Sequence, residues 1–323
     1  MRWWHVWSSR LARIEYGRGV LGGPRCNLLA SLVLASLTSC AGQSPTQATP
    51  GAQSTLEAPA VPDPVARVDG ARVHYLSVGS GEPVIVLVHG WASDSRVWRF
   101  QLDSLGKKMR VLAVDLPGHG ASEPAEVPHS MELYVRGVAA VMDDAGVEKA
   151  VLVGHSNGAP VVREFYRRYP GRTRGLVMVD GALRQMVTPQ VIAPFLERLR
   201  SDQYEDAIVA MVDSMPAPNL SEQVKADIRV MAGQTSQAAA IGGLEAAVDP
   251  DTWTPDPIEV PLMLVLAEQP AWSDDYEAFV RELAPQVDYR VWLGVSHFLM
   301  MERPAEFDAA LMEFFVANHW LDG

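Results

Sequence analysis

Five consecutive residues carry the most specific chemistry in this chain: Gly154-His155-Ser156-Asn157-Gly158. They follow the apolar run 151–153 and lead into a stretch of helical spacing that extends to Tyr169. A G-x-S-x-G pentapeptide between a strand and a helix forms a nucleophile elbow, a sharp turn that raises the serine hydroxyl above the sheet. Gly154 and Gly158 leave room where side chains would strike neighbouring backbone. The helix N-terminus below presents N–H groups and a positive dipole end to a developing oxyanion. A serine hydroxyl is a poor nucleophile until an imidazole takes its proton. Among the eight histidines, His297 is placed for that task, because it closes the last strand candidate and Phe298-Leu-Met-Met301 can dock its loop. His89 and His155 read as braces of the backbone. His5 falls in an N-terminal leader, and His74, His119, His129 and His319 read as solvated or structural.

Elements that could position these groups are legible along the chain. Residues 72–78 alternate and end at Gly79-Ser-Gly81, as a strand and its turn do. The runs 84–88, 110–115, 150–153, 176–179 and 262–266 are continuously apolar or nearly so, as strands covered on both faces are, and 289–293 adds one more. Helical candidates lie between them at 95–108, 130–145, 157–169, 273–283 and 304–318. This alternation predicts a mostly parallel sheet with helices on both faces. Between Leu183 and Asp256 no β-type run occurs. Ile192, Phe195, Leu196 and Leu199 share one face there. Ile208, Met211, Val212 and Met215 share a second, and Val224, Ile228 and Met231 a third. Thr188-Pro189 and Asn219-Leu-Ser221 read as helix starts. The organisation expected is a core of 65–182 and 257–323 with a helical lid at 183–256, inserted before the penultimate strand.

Three further segments complete a recognisable set. His89-Gly90-Trp91 follows the first apolar strand. Asp115-Leu-Pro-Gly118-His-Gly120-Ala-Ser122 follows the next, and Gly294-Val-Ser-His297-Phe-Leu-Met-Met-Glu302-Arg-Pro304 follows the last. In this order the chain resembles the α/β-hydrolase fold superfamily, in the branch of small lidded hydrolases that holds carboxylesterases, lactonases and C–C hydrolases. The resemblance implies Ser156 as nucleophile, His297 as general base, and the backbone N–H groups of Trp91 and Asn157 as oxyanion donors. It also implies cleavage of an ester or related acyl bond through a Ser156 acyl-enzyme. Aspartate at position 156 would instead give an alkyl-enzyme ester, as in dehalogenases and epoxide hydrolases. A cofactor-free haloperoxidase-like or C–C bond hydrolase on the same triad, and a ligand-binding or signalling module with little turnover, are the rival readings.

The third member of the triad departs from the family pattern. The usual acid lies a few residues past the strand ending at Leu266, where this chain has Ala267-Glu268-Gln269-Pro270-Ala271-Trp272-Ser273-Asp274-Asp275, with Pro270 at the expected aspartate. Asp180, at the end of the strand beside the elbow strand, is the first candidate, although Asp followed by Gly181 is also a common strand-exit turn. Glu268 is the second. Asp274 and Asp275 follow, and they suit the first turn of a helix in any case.

Composition bounds the rest. The chain has 323 residues, a formal net charge of -12 and two cysteines, Cys26 and Cys40. Two cysteines exclude a disulfide scaffold and a cysteine-rich zinc module. No metal-ligand spacing and no phosphate-binding G-x-x-x-x-G-K occur, so neither metal nor cofactor is expected. The acidity argues against nucleic acid as a partner. Residues 1–40 are basic, with five arginines against Glu15. An apolar stretch of eleven residues from Asn27 to Leu37 has signal-peptide length and is too short to span a bilayer. Leu37-Thr-Ser-Cys40 resembles the bacterial lipobox, which implies a signal peptide at 1–39, a lipid on Cys40, and export to a membrane of the cell envelope. Residues 40–64, rich in Pro, Gln, Thr, Ala and Ser, read as a tether. The expected partners are therefore a small acyl or ester substrate, and a membrane through the lipid only.

Overall fold

The computed structural model describes residues 64–215 and 219–321. The leader, Cys40 and nearly all of the tether lie outside the described residues. Eight strands build one sheet: β1 (Val65–Val68), β2 (Ala71–Val78), β3 (Ile85–Val88), β4 (Val111–Val114), β5 (Ala150–His155), β6 (Thr173–Val179), β7 (Leu262–Ala267) and β8 (Asp288–Trp292). Their spatial order is β1-β2-β4-β3-β5-β6-β7-β8. β1 and β2 pair antiparallel, as do β2 and β4, and every later pair is parallel. The parallel alternation expected from the sequence is therefore present. β1 is an addition to it, a four-residue edge strand too short to read as a period.

The central strands are apolar throughout because both of their faces are covered. Val86, Val88, Leu152 and Leu264 pack against α2 (Met131–Asp144), α3 (Gly158–Arg168) and α8 (Asp274–Leu283). Ile85, Leu87, Val151 and Val153 face the other way, onto α1 (Arg99–Leu105) and α10 (Pro304–Ala317). Each fully buried Val or Leu contributes about 1.5–3 kcal/mol relative to exposure. α2 starts at a serine cap, with the Ser130 hydroxyl accepting from the Leu133 N–H. The helix expected over 95–108 divides into a 3-10 turn (Ser95–Trp98) and α1, because Asp94 caps the turn and Gly106 closes the helix.

The long connection from β6 to β7 holds four helices: α4 (Pro189–Leu199), α5 (Tyr204–Ser214), α6 (Glu222–Gly233) and α7 (Gln237–Val248). Ile192, Phe195, Leu196 and Leu199 of α4 are all buried, as their shared face requires. Met215 lies one residue past α5 but, partly buried like Val212, still packs with Ile208 and Met211. α7 carries no periodic apolar face in its sequence: it buries the small residues Ala239, Ala240, Gly242, Gly243 and Ala246, while Ala238 and Glu245 are exposed. Among the described residues no helix is long and apolar enough to cross a membrane.

Strand order determines where a site can form. From β3 the chain steps outward to β4, then returns to place β5 on the opposite side of β3. In open parallel sheets, ligands bind at such a reversal, outside the carboxyl ends of the strands. Val88 is level with Gly154, His155 with Val179, and Val179 with Val265. The segments after β3, β5, β6 and β7 thus leave the sheet along one edge.

Candidate active site

Ser156 leaves β5 with φ of 51°, in the left-handed region that costs a non-glycine residue about 1–3 kcal/mol. Three contacts hold it there. Its N–H donates to the Val179 carbonyl at 2.9 Å, and its own carbonyl accepts from Ala159 at 3.0 Å. The third contact is steric. A Cβ on Gly154 would sit 2.4 Å from the Gly158 carbonyl oxygen, and one on Gly158 would sit 2.5 Å from that of Val88. Both elbow glycines are therefore required by close backbone approach.

His297 follows β8 on a loop closed by α9 (Leu299–Glu302). Its ring is braced from below by His155, whose Nε2–H donates to the His297 carbonyl at 2.9 Å and whose ring centroid lies 4.7 Å from that of His297. Burial pushes the pKa of His155 well below the ordinary histidine value, so it stays neutral. His89 braces the neighbouring loop. Its Nε2 accepts from the Leu116 N–H at 3.0 Å, so Nδ1 carries the proton and donates to the Gly90 carbonyl at 2.8 Å.

The carboxylate that meets His297 belongs to Asp180. His297 Nδ1 lies 2.6 Å from Asp180 Oδ2. The other oxygen, Oδ1, accepts from the Ala267 N–H at 3.0 Å and from Trp272 Nε1–H at 3.1 Å. Asp180 itself stands at φ of 42°, with its N–H bonded to the Val265 carbonyl at 2.8 Å. The Asp180 side chain is 2% exposed and that of His297 26%. Glu268, the other acid candidate, is exposed, and its backbone N–H donates to Trp292. Asp274 and Asp275 occupy the first turn of α8. Sequence reasoning missed Trp272. The loop that carries Pro270 at the expected aspartate contributes a hydrogen-bond donor to Asp180, and no residue-type signal marks a tryptophan for that role.

Trp91 and Asn157 lie on either side of Ser156. Their backbone N–H groups donate to no acceptor among the described residues. Their side chains both reach the insertion: Trp91 Nε1–H donates to the Ala240 carbonyl at 2.8 Å, and Asn157 Nδ2 to the Gly243 carbonyl at 3.1 Å. Ser156, His297, Asp180, Trp91 and Asn157 all border one cavity of about 450 Å³. Its far walls come from the insertion, including Phe195, Met211 and Leu244. Among the described residues no cluster of His, Cys, Asp and Glu could hold a metal ion.

The chain has relatives among known proteins. A family model, the Alpha/beta hydrolase family, matches residues 85–310, and this chain belongs to that family. The dihydrolipoyllysine-residue acetyltransferase component of the acetoin cleaving system of Cupriavidus necator is 37% identical over 115 residues, 36% of this chain and 31% of that one. Epoxide hydrolase 4 of Mus musculus is 27% identical over 190 residues, 55% of this chain and 53% of that one. The chain thus spans between about a third and a half of these curated relatives. Among solved structures, an esterase from Thermogutta terrifontis aligns with a TM-score of 0.71 at 25% identity, covering 80% of this chain and 100% of that one.

Proposed function

We propose that the protein is a serine hydrolase that cleaves a carboxylic ester through an acyl-enzyme on Ser156. The observation that carries this reading is the 2.6 Å contact between His297 Nδ1 and Asp180 Oδ2 at the sheet edge that also bears the Ser156 elbow. An ionised Asp180 only accepts, so its bond places a proton on Nδ1 and leaves the Nε2 lone pair as the base. His297 Nε2 takes the Ser156 proton as Oγ attacks the ester carbonyl. The N–H groups of Trp91 and Asn157 receive the oxyanion. Collapse breaks the ester C–O bond, and the alcohol leaves with the proton from His297. Water then repeats the sequence on the acyl-enzyme and releases the acid. Serine at position 156 favours an acyl over an alkyl intermediate, so the electrophile is a carbonyl. Replacing Ser156 with Ala is expected to lower turnover of a short-chain aryl ester by at least about a thousandfold without changing Tm. Near-wild-type turnover by Ser156→Ala would contradict the mechanism.

We also infer that the enzyme is exported and held to a membrane of the cell envelope by a lipid on Cys40. The motif Leu37-Thr-Ser-Cys40, followed by a tether, supports this. Membrane fractionation tests it: Cys40→Ser is expected to leave a soluble or unprocessed form, and wild-type membrane association in that variant would exclude Cys40 as the anchor.

A further inference from the structure

Glu268 is a charged group at the cavity that the proposed mechanism does not use. Among the described residues, three carboxylate and imidazole groups border the cavity besides His155: Asp180, His297 and Glu268. Asp180 and His297 are bonded to each other. His155 is neutral and its ring is spent on the His297 loop. Among the described residues, neither lysine nor arginine lines the wall. The remainder of the lining is mostly hydrocarbon and indole, with Trp91, Phe195, Met211, Trp253 and Trp272 among the large side chains.

We infer that this cavity selects an uncharged, hydrocarbon-rich ester and rejects esters that carry a carboxylate, with Glu268 as the residue that enforces the rejection. The inference rests on the ester-hydrolase reading above. An anionic group brought into this cavity loses its water and finds no cation to replace it. It also approaches the carboxylate of Glu268, a solvent-exposed residue on the cavity lining, and like charges repel. A hydrocarbon end gains from the same transfer, about 0.8 kcal/mol for each buried methylene. Discrimination therefore comes from both attraction of the neutral chain and repulsion of the charged one.

Methyl octanoate and monomethyl suberate test this directly, because they share one chain and differ at its far end in a methyl or a carboxylate. Wild-type kcat/KM is expected to favour the neutral ester by about a hundredfold or more. Glu268→Lys is expected to reduce that ratio at least about tenfold. Binding of the same pair to Ser156→Ala, read from tryptophan fluorescence, should show the same preference without any turnover. If both esters bind the Ser156→Ala protein equally, the inference is overturned even where the wild type hydrolyses both. If the neutral ester binds selectively but the wild type turns over neither, the substrate class stands and the ester-hydrolase reading fails. An unchanged ratio in Glu268→Lys overturns the role of Glu268.

Discussion

The rim of the sheet and the helical insertion above it hold the same cavity by different means. At the rim, Ser156 and Asp180 each follow a buried strand and are fixed by backbone. Ser156 and Asp180 both stand in left-handed conformations, each held by an N–H bond to the adjacent strand. In the insertion the means differ from one helix to the next. α6 rolls an apolar face of Val224, Ile228 and Met231 onto the core and adds polar ties at the surface, Arg99 to Asp227 at 3.1 Å and Arg96 to Gln234. α7 docks by its backbone. The carbonyls of Ala239, Ala240 and Gly243 accept from Tyr134, Trp91 and Asn157. A Cβ on Gly242 would lie 2.4 Å from the His129 carbonyl oxygen. A helix that docks through its own peptide groups needs small residues, and small residues carry no periodic signal.

The largest expected effect falls on the rim. Asp180→Asn is expected to lower kcat by about a thousandfold to ten-thousandfold, because the amide cannot hold the Nδ1–H tautomer of His297. Glu268→Gln should cost less than about tenfold on a neutral ester, since the exposed Glu268 borders the cavity and His297 Nδ1 is bonded to Asp180 instead. The reverse ranking in steady-state kinetics would move the acid to the loop after β7.

Acid should weaken the seam between rim and insertion next. His119 and His129 lie against Tyr134, with ring centroids 5.9 and 6.0 Å away, below the carbonyl that α7 lends to Tyr134. Burial holds His119 at about 3 and lowers His129, His89 and His155 as well. A histidine lowered on folding binds more protons when unfolded. Its stabilising contribution is complete above the unfolded value near 6.5 and is lost as pH falls toward the folded value. Asp115, which burial alone would raise, is kept at about 2 by bonds from His74, Ala121 and Ser95, so it responds only below the ordinary carboxylate range. Between about pH 6.5 and 4.5 the loss should therefore approach 1.4 kcal/mol per pH unit for each responding histidine. Thermal melts over that range check the slope, and His119→Gln should make it shallower. A flat Tm would contradict the buried neutral histidines.

The smallest effects separate the two insertion helices. Gly242→Val is expected to cost about 1–3 kcal/mol and lower Tm by several degrees, with a fall in kcat as Trp91 and Asn157 lose their partners. Arg99→Ala, which removes a half-exposed ion pair to α6, should cost less than about 1 kcal/mol. Equal losses in the two variants would erase the distinction between backbone docking and surface ties.

How much of this was legible follows from the same contrast. The parallel strands are visible in sequence because burial on both faces makes them continuous apolar runs, and the elbow is visible because its glycines are dictated by backbone contact. Ser156 stands at the end of such a run, whereas His297 follows the only partly buried β8 and is marked by the segment from Gly294 to Pro304. The acid was not decidable, because Asp180 and Glu268 both leave neighbouring strands at one edge and only the tertiary path of the β7–α8 loop decides between them. That path turns Trp272, rather than a carboxylate, toward the histidine's partner. α7 escaped a face assignment because its sequence, Gln237-Ala-Ala-Ala-Ile-Gly-Gly-Leu-Glu-Ala-Ala-Val248, reads as a weak helix interrupted by two glycines. Its fit depends on the partners waiting on α2, β3's exit loop and the elbow.

The central claim is that Ser156 carries the acyl group during turnover. Mass spectrometry of the protein quenched early in the hydrolysis of a slowly deacylating aryl ester tests it most directly. The account predicts one acyl mass addition per chain, located by peptide mapping to the fragment containing Ser156, and absent from Ser156→Ala. Steady turnover with an unmodified Ser156, or an acyl group on another residue, would contradict it.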